Sequence, residues 1–162
     1  MQAIAVCAFW RNRKYVVEYK AARDQDPDMV IRELQRLNRK YHIRAWGVET
    51  VNYQATLKWY IEKHIKDGTL GAIRVVEVKA VKDKPTRIRQ AHTERAREGR
   101  LFCHATHVEY IEQFKKHPNG SLKDIIDAVS MTDYVVNPTM EQGRPPTDES
   151  NYEDLGGWRG AP

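Results

Sequence analysis

A chain of 162 residues with 41% apolar content has material for one hydrophobic core, and its length gives no reason to expect two. No apolar run approaches the roughly 18 residues of a membrane span, and the first ten residues lack the basic start and small-residue end of a leader, so no membrane partner is expected and a cytoplasmic location is. The net charge of +5 hides an asymmetry, because residues 132–162 hold six acids and two bases, leaving residues 1–131 with 25 Lys and Arg against 16 Asp and Glu, a net +9; cations spread over several elements fit either a nucleic-acid partner or solvated helices.

The chain opens on two β-rich runs, Ala3 to Trp10 and Tyr15 to Tyr19, separated by the polar stretch from Arg11 to Lys14, a pattern that predicts an antiparallel hairpin. Asp26 before Pro27 predicts a helix start, with aspartate as cap and proline in the first turn, and Val30, Leu34 and Leu37 follow at helical spacing. Ala45 to Glu49 reads as a short buried strand. Leu57, Ile61, His64 and Ile65 mark one face of the next helix, which stops before Gly68. Ile73 to Val78 is another strand, followed by a strongly charged helix from Lys84 to Arg97 that Gly99 ends. Leu101 to Cys103 is a brief strand, and Thr106 with Glu109 has capping-box spacing at the head of a helix presenting Val108, Ile111 and Phe114. A last helix carries Leu122, Ile125, Ile126 and Val129 as its apolar stripe. Cys7 and Cys103 lie inside apolar strand-like runs and are expected to be buried free thiols. The order β-β-α-β-α-β-α-β-α-α predicts an α/β layered fold with a mixed sheet over residues 1–136. From 137 to 162 the composition turns to Pro, Gly and acids without periodicity, and an extended acidic tail is expected.

Several residues stand out for their chemistry. Glu49 closes a buried strand, where α/β proteins commonly place their sites. Asp124 and Asp127 neighbour each other on the side of the last helix away from its apolar stripe. Mg²⁺ and Mn²⁺ take carboxylate oxygens and keep much of their water, so two or three convergent carboxylates suffice for phosphodiester hydrolysis by paired ions. The alternatives are a capping box of Ser121 with Asp124, and for Asp127 an ordinary acid favourable to the helix dipole. Lys84 and Arg87 lie one turn apart on the charged helix, with Arg89, Arg95, Arg97 and Arg100 beyond them. Fixed cations of this kind contact phosphate; the alternative is a solvated face laced with Glu94 and Glu98.

Four short motifs in order carry a resemblance: Val-Glu49-Thr-Val-Asn-Tyr-Gln54, Lys-Asp-Lys84-Pro-Thr-Arg87-Ile, Glu-Gly-Arg100-Leu-Phe and Lys-Asp124-Ile-Ile-Asp127-Ala-Val-Ser-Met131. Together, over residues 2–131, they resemble the C-terminal nuclease domain of phage large terminase subunits. The resemblance implies a ribonuclease H-like mixed sheet flanked by helices. It also implies a divalent-metal-dependent endonuclease that cuts concatemeric double-stranded DNA during genome packaging in the host cytoplasm, with Mg²⁺ or Mn²⁺, two ions in a complete site. By the same resemblance Glu49, Asp124 and Asp127 are the metal-binding and catalytic acids, and Lys84, Arg87 and Gln54 contact DNA. Two positions depart from the family pattern. The family's first metal-binding aspartate lies on a strand before the hairpin and has no counterpart ahead of Ala3, while Leu122 and Lys123 stand where histidine and aspartate are common. The expectation is therefore a fragment of a longer terminase or a degenerate prophage copy. The competing expectations are a catalytically silent DNA-binding or packaging-interaction module that keeps the fold, and another ribonuclease H-like nuclease.

His104 and His107 have a spacing that a metal could use, but no zinc pattern surrounds them, and capping or surface roles are expected. Neither a phosphate-binding glycine loop nor a serine nucleophile motif is present. Trp46 and Trp59 read as core aromatics. Trp158, in Gly-Gly-Trp158-Arg-Gly, reads as an apolar residue in the tail, where the family resemblance implies contact with a portal or procapsid.

Overall fold

The computed structural model describes residues 2–23, 26–49, 54–78, 83–136 and 158–160. They form a mixed α/β structure whose element order follows the sequence pattern: β1 (Gln2–Trp10), β2 (Arg13–Ala22), α1 (Pro27–Tyr41), β3 (Ala45–Glu49), α2 (Gln54–Lys66), β4 (Arg74–Val78), α3 (Lys84–Ile88), a π-helical stretch (Arg89–Glu94), α4 (Arg95–Arg97), β5 (Leu101–His104), α5 (Val108–Lys116), α6 (Asp124–Val135) and β6 (Trp158–Gly160). Among the described residues the strands pair as two sheets, in the orders β1-β2-β5-β6 and β3-β4, and the first is the expected mixed sheet, with β5 parallel to β2 and antiparallel to β6. The chain divides accordingly into two compact units, residues 1–21 with 82–162, and residues 22–81. No helix among the described residues is long and apolar enough to cross a membrane.

In the first unit, β1 and β2 form the expected hairpin. Its turn uses Arg11 and Asn12 at φ +45° and +61°, the pair of left-handed conformations that matches the twist of a two-residue hairpin. Strand β2 then runs parallel to β5, with Lys14 opposite Leu101 and Val16 opposite Cys103. The alternation of the pleat sends Lys14 and Val16 to the same, inward side. Helix α6 packs across β1. Val16, Ile88, Leu101, Cys103, Tyr110, Ile125, Ile126 and Val129 form the core, with Cys7, Tyr19, Ile111 and Phe114 packed around it. Both cysteines are free thiols; Cys103 is buried and Cys7 partly so, and burial pushes both thiols above their ordinary pKa.

Three sequence expectations are corrected in this unit. Leu122 is 51% exposed and precedes α6, whose buried stripe is Ile125, Ile126 and Val129. Val108 is exposed, because α5 turns Tyr110 and Gln113 inward instead. Trp158–Gly160, read as tail, is a short strand antiparallel to β5; residues 137–157 and 161–162, the rest of that expected tail, lie outside the described residues.

The charged helix expected from Lys84 to Arg97 is present, but a wider π-helical turn interrupts it. Such an insertion shifts the angular register of the helix. Here Arg87, Ile88, Ala91 and His92 all face inward, and Ala96 still packs against the core. Gly99 follows at φ +64°, the left-handed conformation that ends a helix most easily without a Cβ.

In the second unit Asp26 caps α1 by accepting from the Asp28 N–H, and Pro27 sits in the first turn, as the sequence predicts. Helix α2 is the crossover of a parallel β-α-β unit, in which Trp46 lies opposite Val75 and Glu49 opposite Val78. Val30, Ile31, Leu34, Leu37, Trp46, Val48, Ile61, Leu70 and Val78 are buried. The indole N–H of Trp46 donates to Asn38 Oδ1 at 2.9 Å, so this core aromatic has its polar atom satisfied.

Candidate functional site

Four of the residues singled out in the sequence come together where α3 meets the first turn of α6. Asp83 caps α3 by accepting from the Thr86 N–H at 3.0 Å, which fixes the start of the helix and places Lys84 and Arg87 one turn apart. Arg87 is only 6% exposed. Its guanidinium holds one oxygen of Asp127 through Nη2 at 2.5 Å and Nε at 3.2 Å, and Nε also reaches Ser130 Oγ at 3.3 Å. The hydroxyl of Ser130 in turn donates to the Asp127 carbonyl at 2.7 Å. The other Asp127 oxygen takes Lys84 Nζ at 2.9 Å, and the same ammonium lies 3.9 Å from Asp124 Oδ1.

The arrangement is electrically balanced, two cations against two carboxylates, but its members differ in mobility. Arg87 is enclosed and Asp127 is 16% exposed, whereas Lys84 is 40% and Asp124 32% exposed. An exposed lysine–carboxylate pair contributes at most about 1 kcal/mol, so Lys84 leaves at little cost. Arg87 is bound to Asp127 in a nearly enclosed position, and breaking a buried pair of this kind costs several times more, about 3–5 kcal/mol.

The capping explanation for Asp124 does not hold. Lys123 occupies the cap position of α6 with no side-chain cap bond. The buried Gln113, from α5, supplies the acceptor instead: its Oε1 takes the N–H groups of Ile125 and Ile126 at 3.1 and 3.4 Å. Asp124 thus keeps its carboxylate toward Lys84. Asp127 is also more than a surface acid near a helix start, since it anchors α6 to α3 through Arg87.

Glu49 lies in the other unit, at the end of β3, with its side chain partly buried. Gln54 opens α2, and its side chain lies outside the described residues. Among the described residues, no group of three or more His, Cys, Asp and Glu side chains gathers as ion ligands do.

Of the other cations, Arg95 pairs with Asp133 at 3.5 Å, and Arg100 pairs with Glu98 and reaches Asn12 Oδ1 at 2.9 Å. Lys14, which drew no attention in the sequence beyond the hairpin turn, is fully buried and donates to the Val129 carbonyl at 2.6 Å and to Asp133 at 2.8 Å. The expected capping box of Thr106 and Glu109 is not formed, because His107 holds the cap position of α5 without a side-chain bond. Thr106 Oγ instead meets His104 Nδ1 at 2.6 Å. His107 packs edge-on against Tyr19, and burial lowers its pKa, helped by the neighbouring His104; both histidines are thereby tied into local structure. Trp59, expected in the core, is 60% exposed.

Comparison with known proteins finds no matching family model, no matching curated protein and no matching solved structure.

Proposed function

We propose that this chain is a DNA-processing domain of the terminase nuclease kind, ribonuclease H-like in descent, and that its chemistry is divalent-metal-dependent hydrolysis of duplex DNA centred on Asp124 and Asp127. The observation that carries this reading is the meeting of Lys84 and Arg87 with Asp124 and Asp127. Residues from two separate motifs, 40 positions apart for Arg87 and Asp127, share one cluster, and the ammonium of Lys84 already serves both carboxylates as their common cation.

The donor set fits a hard divalent ion, which takes carboxylate oxygens and fills its remaining positions with water or phosphate. Asp124 and the outer oxygen of Asp127 would hold Mg²⁺ or Mn²⁺ after Lys84 swings away, while Arg87 keeps the inner oxygen and fixes the carboxylate plane. The reading adds Glu49 as a further metal-binding acid and Gln54 as a DNA contact. When bound, the ion supplies Lewis-acid activation of water and charge stabilisation at phosphorus. Lys84, released from the carboxylates, is placed to hold a backbone phosphate. Contact with a portal or procapsid through the C-terminal residues belongs to the same reading.

The test is cleavage of duplex DNA by the full chain in Mn²⁺ or Mg²⁺, together with calorimetric titration of Mn²⁺ alone. Loss of both cleavage and Mn²⁺ binding in Asp124→Asn is expected, with loss of cleavage in Glu49→Ala. Cleavage that survives either substitution refutes the reading.

One observation favours a second reading, that of a catalytically silent DNA-binding module: Arg87 and Lys84 between them occupy both oxygens of Asp127. Its signature is salt-sensitive duplex binding with no Mn²⁺ binding and no cutting.

A further inference from the structure

Trp59 sits in the middle of α2 on a part of the helix that is held firmly on either side. Ile61 is buried in the second unit's core. Tyr60 donates its hydroxyl to Asp28 Oδ1 at 2.6 Å and packs edge-on against His64. Lys58 is paired with Glu77 at 3.2 Å and Glu62 at 3.8 Å. Between these anchors the indole of Trp59 faces outward at 60% exposure, so its exposure does not come from a frayed helix end. The largest apolar side chain is normally well buried, and placing it outward forgoes the stabilisation that burial would bring.

Among the described side chains of α2, the outward ones are Thr56, Trp59, Lys63 and Lys66, spaced by three, four and three residues and therefore on one stripe. Lys63 Nζ lies over the Trp59 ring, 5.7 Å from its centroid, a cation–π contact. The nearest acid on the helix, Glu62, is paired with Lys58. The stripe thus joins one aromatic plane to two cations. Lysine is depleted at the centres of protein interfaces, and a single outward tryptophan with its helix's apolar face already used by the core gives little to insert into a lipid surface. An aromatic plane flanked by lysines is instead the combination that binds single-stranded nucleic acid, with an unpaired base stacked on the ring and adjoining phosphates held by the cations.

We propose that the Trp59–Lys63–Lys66 stripe of α2 is a contact site for single-stranded nucleic acid, with one base stacked on Trp59. It is independent of the metal site read at Asp124 and Asp127, and each can fail without the other.

The experiment titrates the full chain against a labelled oligothymidylate and against a duplex of the same length, following anisotropy of the label and intrinsic tryptophan fluorescence. Trp59→Ala is expected to weaken oligothymidylate binding by about tenfold, as loss of one stacked base does, and to leave duplex affinity within about twofold. Trp59→Phe retains most of the affinity because a ring remains. Each of Lys63→Ala and Lys66→Ala lowers the slope of log affinity against log salt by about 0.7. Because the Trp59 side chain lies outside the core, the thermal unfolding curve of Trp59→Ala should match that of the parent, and its Mn²⁺ titration should too. Unchanged oligothymidylate binding in Trp59→Ala overturns the proposal. So does equal weakening for single strand and duplex, which would mean phosphate contact without stacking. Absence of oligothymidylate binding in the parent also overturns it, whether Trp59→Ala then abolishes self-association or binding to anionic vesicles.

Discussion

Substituting Asp127 by Ala separates the structural from the chemical part of the proposed site. Arg87 is 6% exposed and its guanidinium is held by the Asp127 carboxylate. Removing that carboxylate takes two charge-assisted hydrogen bonds from a nearly buried cation, and breaking a buried ion pair by deleting one partner costs about 3–5 kcal/mol, a large part of the 5–15 kcal/mol by which a typical domain is stable. Asp124 is the internal control. It is 32% exposed and lies 3.9 Å from the ammonium of Lys84, so Asp124→Asn should stay within about 0.5 kcal/mol of the parent. Arg87→Met falls between them, because Asp127 keeps Lys84 at 2.9 Å; losing a charged hydrogen bond there costs about 1.5–3 kcal/mol. The double variant Asp127→Ala/Arg87→Met should recover stability relative to Asp127→Ala alone, since the buried cation is then removed together with its carboxylate. Urea unfolding in chelator, compared at constant slope, gives all four values. If Asp127→Ala unfolds at the same urea concentration as Asp124→Asn, the anchoring role of the Arg87–Asp127 pair is wrong.

Lys84→Met removes the ammonium that competes for both carboxylates, so Mn²⁺ should bind more tightly by calorimetry while duplex DNA affinity falls; weaker Mn²⁺ binding would refute the exchange of cations. Gln113→Ala takes away the acceptor for two N–H groups at the start of α6 and should cost about 0.5–2 kcal/mol in urea unfolding, as loss of a helix cap does, whereas Ser121→Ala should cost nothing measurable. Burial, reinforced by Lys14, holds the fully buried His92 well below its ordinary pKa of 6.5. The unfolded chain therefore binds the extra proton first, and stability is lost as pH falls through about 6.5 toward the folded value, with a slope of up to about 1.4 kcal/mol per pH unit for one such group. Burial lowers His107 and His117 in the same sense, so the measurement is the difference between the parent and His92→Phe in urea midpoints from pH 7.5 to 5.5. An identical pH slope in the two proteins would show that His92 does not titrate on unfolding.

The elements of this fold were legible wherever the signal is local. Asp26-Pro27, the polar turn between the two β-rich runs, and the glycines at 68 and 99 each act within a few residues, and the structure follows them. Facing directions were legible only in part. The stripe of α1 is as read, but α5 presents Tyr110 and Gln113 rather than Val108, and Trp59 faces out although its apolar character pointed in. Hydrophobicity says that a side chain gains from burial, not that its helix will be rotated to supply it. In α2 the rotation is set by Ile61 together with the polar contacts of Tyr60 to Asp28 and Lys58 to Glu77, 32 and 19 positions away. The mixed sheet expected from the element order is present in β1-β2-β5-β6, but the pairing of β3 with β4 as a second sheet was not legible, because order constrains crossovers but not which strand joins which edge.

The same limit explains the site. Lys84, Arg87, Asp124 and Asp127 were each legible as candidates from motif and spacing, yet their division of labour was not, because it depends on unequal burial. Read from sequence, two cations waited for phosphate and two acids for metal. In the structure Arg87 is buried and belongs to Asp127, while Lys84 is exposed and shared. Of the four, then, the two that can exchange partners are the two nearest solvent, Lys84 and Asp124. An enclosed Arg87–Asp127 pair holding α3 against α6 and an open Lys84–Asp124 edge make a divalent ion compete with one weakly held ammonium rather than with the whole cluster. Any ion binding here should consequently be coupled to release of Lys84, and removal of Lys84 should alter metal affinity and DNA affinity in opposite directions.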